Sequence, residues 1–155
     1  MKTNFLFVFA LLAMLCVVNA IPHQLHKRTT VFGPCTPNPP PELSVKISPD
    51  PVVPDQIATF TVNGTLETPI TKDFKFMVAF DDDSGAVAPP FTADIALGTT
   101  VNVVEKVPVP SQSLLPSTYG IAVGIVNPNV EPYLVIGCAY ATVNGHASDI
   151  PALLF

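Results

Sequence analysis

Few residues in this chain have the type and spacing that chemistry needs. The 155 residues include three histidines. Two of them, His23 and His26, precede the dibasic pair Lys27-Arg28, and the third, His146, lies near the C-terminus. A nucleophile–base triad needs a histidine beside a serine or cysteine, and no G-x-S-x-G elbow is present. A zinc site needs three or four His/Cys ligands, which the mature chain does not offer once its cysteines pair. Asp81-Asp82-Asp83-Ser84-Gly85 gathers hard oxygen ligands, but Gly at the sixth and Glu at the twelfth position of a calcium loop are missing, so the run reads as a solvated turn. Gly-rich phosphate loops are missing too. The residue types argue against an enzyme and assign no metal and no cofactor.

Two kinds of modification chemistry remain. Asn63-Gly64-Thr65 is an N-glycosylation sequon. Cys16 falls in an N-terminal apolar stretch that reads as a secretory signal peptide, residues 1–20, with Lys2 as its charged start and Val18-Asn19-Ala20 as its small-residue cleavage site. Its removal leaves Cys35 and Cys138, and an even count in a secreted chain argues for one disulfide. The chain-entropy model assigns about 4 to 5 kcal/mol to a loop of roughly a hundred residues. Residues 21–28 are either a pro-segment ending at Lys27-Arg28 or an ordinary N-terminal extension. Without residues 1–28, four lysines stand against twelve carboxylates, a formal charge of −8. That excludes a nucleic-acid binder, which rewards basic patches.

The elements that position these groups are strands. In ELSVKISPDPVVPDQIATFTVNGTLE, residues 42–67, Leu43, Val45 and Ile47 alternate with polar residues; Pro49, Pro51 and Pro54 interrupt; Ala58, Phe60, Val62, Gly64 and Leu66 then alternate with Thr59, Thr61, Asn63 and Thr65. Thr68-Pro69 marks a turn. Residues 72–81 form a strand with Phe74, Phe76, Val78 and Phe80 on one face. Residues 86–96 are poorly patterned. Residues 99–109 are a strand in which Glu105 upsets the alternation of Val101 and Val103, and a bulge near Val104 would restore it. Residues 117–126 put Tyr119, Ile121, Val123 and Ile125 on one face, and residues 133–143 return with Cys138. Turn signals at regular intervals and the lack of an amphipathic helix predict an all-β fold, an immunoglobulin-like antiparallel β-sandwich of six or seven strands over residues 29–146, with a tail at 147–155.

The runs ISPDPVVPDQ…FTVNGTLE and LLPSTYGIAVGIVN…YLVIGCAYATV resemble the ML (lipid-recognition) domain family, across about residues 31 to 145. That family includes phosphatidylglycerol/phosphatidylinositol transfer proteins and a small lysosomal cholesterol carrier. The resemblance implies two splayed sheets with an apolar cavity holding one sterol or phospholipid. It also implies that Cys35, before the first strand, pairs with Cys138 in the last. Two further disulfides frequent in animal members have no cysteines here.

The inward faces offer Phe60, Val62, Phe74, Phe76, Val78, Phe80, Val103, Tyr119, Ile121, Val123 and Ile125 as pocket residues. Alternation alone fits a packed core equally well. The sequence therefore carries two readings. One is a secreted or vacuolar-lysosomal lipid carrier, monomeric and in transient contact with membranes. The other is an immunoglobulin-like extracellular interaction or effector module with a filled core.

Overall fold

The computed structural model describes residues 30–35 and 40–143. The signal peptide, the 21–28 segment, His146 and the tail at 147–155 lie outside the described residues. Eight strands are present: β1 (Ser44–Ser48), β2 (Ile57–Ile70), β3 (Lys75–Asp82), β4 (Gly85–Ala86), β5 (Phe91–Asp94), β6 (Gly98–Pro108), β7 (Tyr119–Asn127) and β8 (Leu134–Val143). Among the described residues there is no helix, and none long and apolar enough to cross a membrane.

All strand pairs are antiparallel, in two sheets. One sheet runs β1-β2-β6. The other runs β4-β3-β7-β8, with β5 also on β3, so that β4 and β5 share one edge of that strand. The expected all-β sandwich is the observed class. Six strands coincide with the six patterned stretches; β4 and β5 come from the poorly patterned stretch and are two and four residues long.

The alternation of β2 works as the sequence implies: Ala58, Phe60, Val62 and Leu66 are buried, while Asn63 and Thr65 are exposed. Three details differ from expectation. The strand does not turn at Thr68-Pro69 but continues to Ile70, and the turn falls at Thr71–Phe74. Pairing with β6 is irregular between Thr65 and Ile70, so Pro69, which has no N–H to donate, breaks no ladder bond there. The bulge expected near Val104 does not exist: β2 and β6 stay in register from Ile57↔Pro108 to Thr65↔Thr100. Glu105 therefore keeps its place in the inward row between Val103 and Val107. The bulge in this sandwich lies instead between Ile125 and Val126, opposite β8.

The two long sides of the sandwich are unlike. On one side the chain stitches the sheets together. The Leu43 N–H donates to the Cys138 carbonyl and the Cys138 N–H to the Pro41 carbonyl, both at 3.2 Å. Leu43 then fills space that a side chain at Gly64, in one sheet, or at Gly137, in the other, would need. Further along β8, Gly33 and Tyr140 exchange a pair of backbone bonds at 2.8 and 2.9 Å. These contacts cover the outer edge of β8. Cys35 is bonded to Cys138 (Cα–Cα 5.9 Å), which ties the lead-in to the same strand. On the other side, β5 of one sheet lies alongside β6 of the other, with no covalent or backbone bond recorded between them.

Candidate functional site

That second side carries the site. An apolar groove of about 430 Å³ opens where the end of β6 faces the β4–β5 connection. Phe80 of β3 forms its floor; Ala88, Pro89, Pro90, Phe91 and Thr92 form one wall, and Pro108, Val109 and Pro110 the other. Thr92 is the one polar residue in that lining. Proline fixes φ and has no N–H, so four of these nine residues give stiff walls with few backbone donors.

Hydrogen bonds hold both walls. The Val87 N–H donates to the Phe80 carbonyl at 2.9 Å, pinning the start of the proline loop on β3. On the other wall, the Asp55 N–H donates to the Pro110 carbonyl at 3.3 Å, and the Asp55 carboxylate accepts from the Gln112 N–H at 3.2 Å. Asp55 does this with φ of 62°, a left-handed conformation that aspartate tolerates better than most residues.

Behind the floor lies the interior. All eleven residues expected to line a pocket belong to one contiguous buried cluster, with exposures from 0% for Phe60, Val62, Phe76, Val78, Ile121, Val123 and Ile125 to 7% for Phe74 and Val103. Of the eleven, only Phe80 also lines the groove. Its ring meets Tyr119 at 6.4 Å between centroids, tilted by 44°. Burial pushes the Tyr119 hydroxyl pKa up, so it stays neutral. Among the described residues no charged side chain is fully buried. The sequence missed the groove walls because turn prolines have no periodicity; the pairs Pro89-Pro90 and Pro108/Pro110 were visible only as breaks.

The remaining chemistry-bearing residues sit elsewhere. Asp82 accepts from the Ser84 N–H (2.8 Å) and Oγ–H (2.6 Å), which closes the acidic turn on itself. Asp81 accepts from the Tyr140 hydroxyl at 3.1 Å. This bond passes over Gly120, where any Cβ would collide with both partners. Burial raises the Asp81 pKa, opposed by the Tyr140 hydrogen bond, and burial followed by the Asp81 charge pushes the Tyr140 phenol up. No group of three metal-ligating side chains exists among the described residues. Asn63 is exposed on the outer face of its sheet, between Ser44 of β1 and Asn102 of β6. A second hollow of about 300 Å³, on the stitched side, is bounded by Phe32 and by Glu42 to Val45.

Compared with known proteins, the chain matches no family model and no curated sequence.

Proposed function

We propose that this protein binds and carries one lipid, a sterol or a phospholipid, taken up through the groove between Pro108–Pro110 and the Ala88–Thr92 loop. The observation that carries this reading is the apolar groove at the side of the sandwich where the sheets are not stitched together. It is floored by Phe80, whose other neighbours are the uncharged interior. A hydrocarbon tail entering there meets valine, proline and phenylalanine, and the polar head stays at the mouth. Each methylene buried contributes about 0.8 kcal/mol, against association costs of about 4 to 15 kcal/mol, a balance that leaves the lipid exchangeable. No covalent step is involved. The resemblance of residues 31–145 to ML domains points the same way.

Transient membrane contact fits the same end of the molecule. Val53, Ile57 and Leu114 are exposed there, and Ile57 pairs with Pro108 of the groove wall. The disulfide suits an oxidising compartment, outside the cell or in a vacuolar-lysosomal lumen. A different observation favours the interaction-module reading: ten of the eleven inward residues touch only the buried cluster and not the groove.

Ala88 is a half-buried groove residue outside the strands, so Ala88→Trp fills the groove without cutting into the core. Titration of a fluorescent sterol and a fluorescent phospholipid into the wild-type protein and this variant tests the proposal. Uptake by wild type that falls at least about tenfold in the variant supports the carrier. Failure of the wild-type protein to take up either probe favours the filled module.

A further inference from the structure

The inward row of β6 runs Val101, Val103, Glu105, Val107, and the three valines are buried. Glu105 is half-buried and pairs across the sheet with Phe60, which is fully buried. No described residue forms a salt bridge or hydrogen bond with its carboxylate; the salt bridge recorded among them joins Lys75 and Asp94 on an outer face. Lys106, the neighbour in sequence, points to the opposite side of its strand. Glu105 thus emerges at the seam where β5 lies alongside β6, with Phe91, Ala93 and Ile95 packed against the core from the β5 side. It is four residues from Val109 of the groove wall. At about 3.3 Å per residue that is about 13 Å along the strand, a span that an extended hydrocarbon or a sterol ring system covers.

A carboxylate held among apolar neighbours wants a donor, because an unpaired polar group in such surroundings is costly and a charge-assisted hydrogen bond is strong. We propose that Glu105 is a head-group site at the β5–β6 seam, accepting a hydrogen bond from the hydroxyl or ammonium of an amphiphile whose hydrocarbon lies along the seam toward the groove. This rests on the carrier reading and refines it. The favoured ligands are long-chain or polycyclic alcohols and amines; carboxylate and phosphate head groups are disfavoured, since Glu105 repels them. Inward-pointing charges also guard exposed edge strands against pairing with another chain, and β6 is an edge strand. The two roles predict different behaviour.

The test compares a fluorescent sterol, a long-chain amine and a long-chain fatty acid on the disulfide-bonded wild-type protein, on Glu105→Gln and on Glu105→Leu. Glu105→Gln keeps shape and removes charge, and thermal melts establish that each variant is folded. The expected result is a wild-type preference for alcohol or amine over fatty acid that narrows about tenfold in Glu105→Gln, and is lost in Glu105→Leu. Loss in the amine arm alone assigns an ammonium ligand; loss in the sterol arm assigns a hydroxyl. A preference that is the same in all three proteins overturns the assignment, as does Glu105→Leu turning dimeric on gel filtration with its ligand preference unchanged. Wild-type protein that binds none of the three probes overturns the carrier reading itself, and this site with it.

Discussion

Asp81 and Tyr140 show how one residue pair sets a pH response. Because burial raises the Asp81 pKa above its unfolded value, the folded state holds the proton more tightly than the unfolded one. The ionised carboxylate is therefore a cost above that raised pKa, and the cost disappears as pH falls through it. Asp81→Asn removes the titration and keeps an acceptor for the Tyr140 hydroxyl. Thermal melts of both proteins at pH 7 and pH 4.5 should show wild type gaining on Asp81→Asn at the lower pH. A difference in melting temperature that does not change with pH would contradict this assignment. Gly120 is part of the same device, since only a residue without Cβ lets the two side chains meet above it.

At the scale of strands, the hollow or filled character of the interior decides the outcome of Val123→Phe. Val123 is fully buried at the middle of β7, between Val78 of β3 and Ala139 of β8. In a packed interior the larger ring costs about 1 to 3 kcal/mol. In a carrier whose lipid reaches between the sheets, the variant should lose lipid uptake while urea unfolding of the lipid-free protein shifts by less than about 1 kcal/mol. Destabilisation with unchanged uptake would confine the lipid to the groove. The strands themselves were legible because one face of each long strand is buried, and a half-buried strand must alternate. Glu105 misled the reading for the same reason: alternation favours an uncharged inward row, so a charge there suggested a bulge. The register instead tolerates the charge, because β6 is an edge strand whose inward side reaches the seam. β4 and β5 escaped notice because two and four residues carry no measurable period. The outer face of the larger sheet was not legible either. Met77, Ala122, Cys138 and Tyr140 are buried on it, and for Cys138 and Tyr140 the lead-in's bridge to β8 and its disulfide supply the cover.

Across the whole molecule, the disulfide and the stitched side form one structural unit, opposite the seam that offers the groove. Cys35 and Cys138 are 103 residues apart in the chain, so reduction frees a long loop as well as the lead-in over Tyr140. Paired replacement of Cys35 and Cys138 by serine should cost about 2 to 5 kcal/mol in urea unfolding, and an unchanged midpoint would argue against a stabilising cross-link. The glycan site at Asn63 faces away from both the interior and the stitched side, so a glycan there leaves the groove free.

The central claim is that the protein leaves the cell with a lipid inside it. Native mass spectrometry of the secreted protein, before and after organic extraction, measures this directly. The account predicts a population heavier than the protein by the mass of one sterol or phospholipid, converted by extraction to the lipid-free mass, with the lipid recovered in the organic phase. A single lipid-free mass before extraction, together with no mass gain after incubation with sterol- and phospholipid-containing vesicles, would contradict it.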